Sequence, residues 1–340
     1  MSATRQQMHM GVFVLGTGNH SAGWRHEGAA TSNLQLPIIQ EIARIAERGK
    51  FDLLFRTVIP PGAATTVLVC PGPAPPTIDD STGLVASPVR LANTRLTVDL
   101  CPSGIAAIAF DGRPVLAPQG IVPHLRDDHT DTWGTGTDRW TEPVYAALAG
   151  GTWEVEETGL LRASMRMKHR IGTSRLRWTL SLLRDDPRLF MRLEVNFDER
   201  LTLLQLGIHL VDGPIRRTDA VPGGAVRRPN SPVEYPVQGW SRLSCADLEM
   251  ALVTQDAYSL SVDGGSWQWT LLRSPRMAWP GGDPPIYHRH NTYTDQGVHD
   301  LRFELHFGET LPDSTLDIAA RRMAQPPIAF DRTERLRRPL

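Results

Sequence analysis

From Leu96 to Phe307 the chain keeps returning to one pattern, apolar and polar residues alternating with a period of two. Leu96, Val98 and Leu100 alternate with Thr97 and Asp99. Leu161, Ala163, Met165 and Met167 alternate with Arg162, Ser164, Arg166 and Lys168. Leu176, Trp178, Leu180 and Leu182 alternate with Arg177, Thr179 and Ser181. Leu189, Met191, Leu193, Val195 and Phe197 alternate with Arg192, Glu194 and Asn196. Leu301, Phe303, Leu305 and Phe307 alternate with Arg302, Glu304 and His306. Successive side chains of a strand point to opposite faces, so each segment has one face for a core and one for water. Turn dipeptides such as SG, DG and GG separate the segments. From Leu91 on, no comparable helical stripe appears before "STLDIAARRMA" near the end. The pattern predicts a mainly β fold, a large antiparallel β-sandwich. Trp267 and Trp269, two residues apart in "SWQWTLL", are expected together on a core face.

Composition narrows the function classes. With 340 residues the chain is long enough for one large domain or two ordinary ones. A net charge of -1 gives no long-range attraction to nucleic acid or to an anionic membrane. The basic tail "RTERLRRPL" reads as a solvated end. Three cysteines, Cys70, Cys101 and Cys245, are too few and too scattered for a disulfide framework or a C-x-x-C metal site. They fit a reducing compartment, and a cytoplasmic location is expected. No apolar run reaches the roughly 18–20 residues of a membrane helix. "GVFVLG" near the start lacks the flanks of a signal peptide, so none is expected.

The first residues follow a different grammar. "MGVFVLG" (Met10 to Gly16) reads as a buried strand. Pro37 opens a helix whose stripe is Ile38, Ile42, Ile45 and Ala46, and Gly49 ends it. "FDLLF" (Phe51 to Phe55) is a second strand, which gives a short N-terminal βαβ fragment with a right-handed crossover. "MHMGVFVLGTGNHSAGWRH" and "EIARIAERGKFDLLF" resemble the opening of luciferase-like flavin-dependent monooxygenases, in the nitrilotriacetate and dibenzothiophene-sulfone monooxygenase branch. The element Gly23, Trp24, Arg25, His26 carries part of the likeness, which covers about residues 8–55. It implies a (β/α)₈ barrel, which needs about 250 residues. Arg56 and Thr57 stand where the family has an acidic residue. The likeness therefore implies ancestry without a working flavin site. His20 and His26 read as loop histidines.

Beyond a Pro- and Gly-rich junction, "HTDTWGTGTDRW" (His129 to Trp140) resembles the D-T-W-G-x-G element of the C-terminal domain of glycoside hydrolase family 38, the α-mannosidases. "WEVEETGLLRASMRMK", "SRLRWTLSLLRDDPRLFMRLEVNFDER", "WTLLRSP" and "TDQGVHDLRFEL" follow in that family's order. The likeness spans about residues 57–325 and implies a two-sheet supersandwich related to galactose mutarotase. The expected layout is a βαβ fragment over 1–55, a β-rich linker over 56–88, the family-38 supersandwich over 89–325 and a basic tail over 326–340.

Family-38 enzymes are retaining α-mannosidases. That chemistry needs two carboxyl groups about 5–5.5 Å apart, and the complete family enzyme adds a zinc ion. The resemblance places all of these on an N-terminal domain for which this chain has no matching segment. No catalytic residue and no cofactor are therefore expected in this chain, and a separate catalytic domain is the implied partner. Mannosides are the implied ligand. An aromatic beside carboxylates and an arginine suits a sugar, whose apolar face stacks while its hydroxyls hydrogen-bond. Asp131, Trp133, Asp138, Arg139 and Trp140 have that composition. His288 and His290 form an H-x-H pair that an extended strand would turn to one face, a weak metal candidate near Asp295 and His299. His306 and Glu304 share a polar strand face and could serve mutarotase-type acid–base chemistry. Three functions follow: a carbohydrate-associated module, a subunit completing a mannosidase site with a partner, or a vestigial flavin monooxygenase.

Overall fold

The computed structural model describes residues 11–12, 53–54, 83–159, 161–211, 213, 216–277 and 293–325. By its contacts the chain divides into two units, Met1–Val67 with Pro327–Leu340, and Leu68–Pro326. In the first unit, β1 (Gly11–Val12) and β2 (Leu53–Leu54) pair in parallel, as a βαβ fragment requires. The helix expected from Pro37 to Gly49 lies outside the described residues.

The second unit begins with β3 (Val85–Ser87), β4 (Arg90–Ala92), β5 (Leu96–Cys101), β6 (Gly104–Phe110), β7 (Arg113–Pro114), β8 (Leu116–Asp127) and β9 (Val144–Ala147). Next come β10 (Trp153–Thr158), β11 (Arg162–Ile171), β12 (Ser174–Leu183), β13 (Arg188–Phe197) and β14 (Thr202–Leu210). Then follow β15 (Arg216–Val221), β16 (Gly224–Arg228), β17 (Ser231–Pro236), β18 (Gly239–Cys245), β19 (Leu248–Thr254), β20 (Ser259–Asp263) and β21 (Ser266–Arg273). The long strand β22 (Gly297–Gly308) and helix α1 (Asp313–Ala324) complete it.

These strands make two antiparallel sheets. A nine-stranded sheet runs β10-β11-β12-β13-β22-β19-β18-β15-β16. An eleven-stranded sheet runs β17-β20-β21-β14-β8-β6-β5-β4-β3, with β7 on β6 and β9 on β8. Two faces close on one core: Leu96, Val98, Ile105, Ile121, Trp267 and Trp269 from the larger sheet, and Met165, Trp178, Leu193 and Leu305 from the smaller. Phe110 stacks on Phe307 across the gap at 5.9 Å between centroids. The large antiparallel β-sandwich expected from the period-two pattern is the fold observed. Trp267 and Trp269 share the core, as their spacing implies, with ring centroids 5.7 Å apart. Leu161 departs from its stripe: it precedes β11 and is 61% exposed.

The hairpin β11–β12 turns in two residues, Gly172 and Thr173. The Glu199 carboxylate clasps that turn. Its Oε1 accepts hydrogen bonds from the Thr173 N–H (2.7 Å), the Ser174 N–H (3.0 Å) and both hydroxyls. The outer face of the smaller sheet is wet over β10 to β13, where Arg166 pairs with Glu154 and Glu156, and Arg192 with Asp300. Over β15, β18 and β19 that face is covered by α1. Leu316, Ala319 and Ala320 pack there on Ala220, Trp240, Ala251 and Val253, and Trp240 Nε1 donates to Asp317 at 2.8 Å.

Gly120 shows how tightly the larger sheet is drawn together. Its φ is +63°, and a Cβ there would lie 1.8 Å from the Ile105 carbonyl oxygen. Gly112 also has positive φ (+78°), but nothing lies within 4 Å of its Cβ position. Gly112→Ala should cost only the left-handed penalty, about 1–2 kcal/mol. Gly120→Ala should cost well over twice as much, because backbone must also move. Urea denaturation with an unchanged slope would measure both; equal losses would refute the close approach.

Candidate functional site

The sequence of β14, "TLLQLGIHL", interrupts an apolar run with Gln205, Gly207 and His209. Leu204, Leu206, Ile208 and Leu210 enter the core, so these three point to the outer face. The neighbouring strands carry polar residues in matching register: Gln205 lies opposite His124 of β8 and Thr270 of β21, and Thr270 opposite Ser259 of β20. One polar row thus crosses four strands.

The row is joined by hydrogen bonds. Gln205 Nε2 donates to the Thr270 hydroxyl at 3.2 Å, which leaves its Oε1 as acceptor. That oxygen accepts from Arg126 Nε (3.1 Å) and faces His124 Nε2 at 3.3 Å, while His124 Nδ1 faces the Val122 carbonyl at 3.4 Å; the neutral ring can donate to one of these two acceptors. The Thr270 hydroxyl in turn donates to Glu234 Oε1, on β17. Glu234 Oε2 accepts from Trp140 Nε1 at 2.6 Å. The Arg273 guanidinium lies 4.8 Å over the Trp140 ring. It also ties down the preceding loop, donating to Asp128 (3.0 Å), Thr130 (2.6 Å) and the Asp131 carbonyl (3.1 Å).

Burial displaces the two ends of this row in opposite senses. Burial first, then the charge of Arg126, lowers His124 to about 4. Burial pushes the Glu234 carboxyl above its ordinary range, against hydrogen bonds from Thr270, Trp140 and Ser259 and the charge of Arg273. Burial also lowers His209. Beside the row, Gly207 lets three neighbouring side chains close in over the strand. A Cβ there would meet His124 Cε1 at 3.0 Å, Gln268 Oε1 at 3.1 Å and His209 Nε2 at 3.2 Å. Gln268 Oε1 is a buried acceptor with no hydrogen-bond partner. Such a cluster of neutral imidazole, amide, hydroxyl and carboxyl groups can hydrogen-bond a polyhydroxylated ligand.

Of the five residues singled out from the sequence, Trp140 joins this row. Asp131 is buried and organises its own loop: its Oδ1 accepts from the Trp133 and Thr135 N–H groups at 3.0 and 2.9 Å. Trp133 is 67% exposed. Asp138 and Arg139 pair with each other on the surface at 2.7 Å, and the Asp138 carbonyl accepts from the Glu234 N–H. His288 and His290 lie outside the described residues. His299 Nε2 contacts the Asp295 carbonyl at 2.9 Å. His306 and Glu304 touch at 3.1 Å, but on a covered rather than a wet face: His306 is 4% exposed and Arg188 pairs with Glu304. Among the described residues, no three of His, Cys, Asp and Glu are grouped to hold a metal ion, so these residues do not fit a zinc site. His124, Gln205, Glu234, Thr270 and Arg273 were not singled out from the sequence. For Gln205 and Thr270 the one signal was a polar residue alternating with core residues in an otherwise apolar strand.

Residues 77–281 match the family described as Glycosyl hydrolases family 38 C-terminal domain. The chain belongs to this family. Among solved structures it is similar to an alpha-mannosidase from Enterococcus faecalis V583, with a TM-score of 0.58 at 12% identity over 72% of this chain and 32% of that one. A second glycosyl hydrolase family 38 protein from Enterococcus faecalis gives 0.58 at 14% identity over 72% and 33%. The family-38 C-terminal fold is therefore shared, and this chain spans about a third of those proteins. A segment of 56 residues is 45% identical to N-acetyl-S-(2-succino)cysteine monooxygenase from Bacillus subtilis (strain 168), covering 16% of this chain and 13% of that protein. None of the described helices is long and apolar enough to cross a membrane.

The family-38 sandwich should show the acid weakness that a buried neutral histidine confers. His124 takes its proton near pH 4 when folded and near 6.5 when unfolded. Between those values the unfolded chain holds the extra proton, so stability falls as pH drops from about 6.5 to 4. The loss is on the order of 3 kcal/mol. His124→Gln should flatten the fall in melting temperature across that range; parallel curves for the two proteins would contradict the assignment.

Proposed function

We propose that this chain is a carbohydrate-associated module of an α-mannosidase-type glycoside hydrolase, catalytically incomplete by itself. The carrying observation is that the match is to the family's C-terminal domain, with the chain spanning about a third of its mannosidase-like neighbours. The zinc and the paired carboxylates belong, on this reading, to a separate catalytic domain. The proposed sugar-facing surface lies at the end of the polar row, with Trp140 fixed against Glu234 and Trp133 free to stack on a sugar ring. The mannoside ligand follows from the family and not from the site. Ancestry in a flavin monooxygenase is the proposed origin of the first segment, supported by the short stretch of identity. Arg56 and Thr57, in place of an acidic residue, argue that it holds no flavin.

A second reading is favoured by the opposite displacements of His124 and Glu234 on one hydrogen-bonded row. Two titratable groups driven apart by their surroundings can divide acid and base roles. The sandwich would then exchange a proton with a sugar unaided.

Calorimetry of the full chain with methyl α-mannoside should show saturable binding, weakened at least tenfold by Glu234→Gln or Trp140→Ala. Hydrolysis of an aryl α-mannoside should need an added family-38 catalytic domain. Absence of binding heat, or hydrolysis by the purified chain alone, would sink the first reading. Faster mutarotation of a free aldose, lost in Glu234→Gln, would establish the second.

A further inference from the structure

The outer face of the nine-stranded sheet carries a recess of about 250 Å³ at the end of α1 that begins with Asp313, remote in the fold from the polar row on the other sheet. Its walls come from β15, β16, β18 and β19. The registers place Thr218 opposite both Arg227 and Arg242, and Arg216 opposite Ser244. These side chains therefore share one face.

One wall is already neutralised and fixed. Arg242 Nη1 donates to the Leu311 carbonyl and lies 2.8 Å from Asp313, and its Nε lies 3.8 Å from Glu249. Glu249 is itself held by the Ser244 hydroxyl (2.8 Å) and the Leu311 N–H (2.7 Å). Both acids are thereby spent on Arg242 and its surroundings. Arg216 and Arg227 remain. Among the described residues neither side chain makes a hydrogen bond or an ion pair. They are diagonal neighbours on adjacent strands, a spacing that long side chains span easily. Two like charges there repel unless something negative sits between them. Guanidinium groups grip tetrahedral oxyanions through paired N–H donors.

We infer that Arg216 and Arg227, with Thr218 between them, form a binding site for a doubly charged tetrahedral oxyanion, a phosphate or sulfate either free or as a monoester. The fixed Arg242–Glu249 wall shapes the recess. The site is independent of sugar binding on the opposite sheet.

The test is calorimetric titration of the full chain at low ionic strength with inorganic phosphate, inorganic sulfate and glycerol phosphate, a monoester without a sugar ring. Sodium chloride at matched ionic strength is the control. Saturable binding of one oxyanion per chain is expected, weakened at least tenfold in Arg216→Ala/Arg227→Ala. The conservative Arg216→Lys/Arg227→Lys should fall in between, because the charge remains while the paired donors are lost. Tighter binding of the monoester than of inorganic phosphate would identify an esterified ligand, and the reverse a free ion. Both arginines are away from the core, so thermal melting should match the parent and exclude misfolding. Equal affinity in the alanine variant, or equal heat from chloride, would overturn the site.

Discussion

Two sheets, each oily on one side, persist in water only while those sides stay pressed together. Everything else in this molecule is arranged around that closure. A tryptophan, Trp178, reaches across from β12 to β6, where the place of a Cβ at Gly104 is 2.8 Å from its ring. A turn is clasped by Glu199, and strand registers hold because a slip of one residue would turn a whole stripe outward. Hydrophobic burial is the dominant favourable contribution, and it is non-directional. The specificity of the pairing comes instead from period-two patterning and from close approaches such as those at Gly104 and Gly120.

With the inner faces committed, function is confined to the outer ones. The larger sheet uses its outer face for a hydrogen-bonded row in which no member is fully hydrated and none is left as a bare charge. The smaller sheet divides its outer face between ion pairs, a helix and a basic recess. Neither outer surface is needed to close the core, so each is free to diverge while the sandwich is kept.

That division explains what could be read from the sequence. The stripes at Leu96–Leu100, Leu176–Leu182, Leu189–Phe197 and Leu301–Phe307 were legible because one side was oily and the other charged. In β14 both sides are buried, so Leu203 and Gln205 lie on the same covered face and the alternation is blurred. Glu234 sits in "SPVEYP", where flanking prolines suggest a turn more than a strand that carries a buried carboxyl. Trp140 was found because its loop has a family-like composition, yet its partner Glu234 is 94 residues away. Asp138 and Arg139 looked equally suitable in sequence and merely neutralise each other. A composition of aromatic, acid and base says that a loop is polar and stiff; only strand register says which member meets the sheet.

The position of β22 has a consequence for how the protein is made. It is the final strand of the unit, yet it lies in the middle of its sheet, between β13 and β19. Until it arrives, β10 to β13 and the strands β15, β16, β18 and β19 are two separate leaves with raw edges facing each other. A ribosome must therefore release nearly the whole unit before the smaller sheet can zip, and the contacts that finish it join residues more than a hundred positions apart, as between Arg192 and Asp300. Such long-range closure is slow. The nascent chain spends that interval with two open seams, and a chaperone that shields sheet edges has its natural moment there.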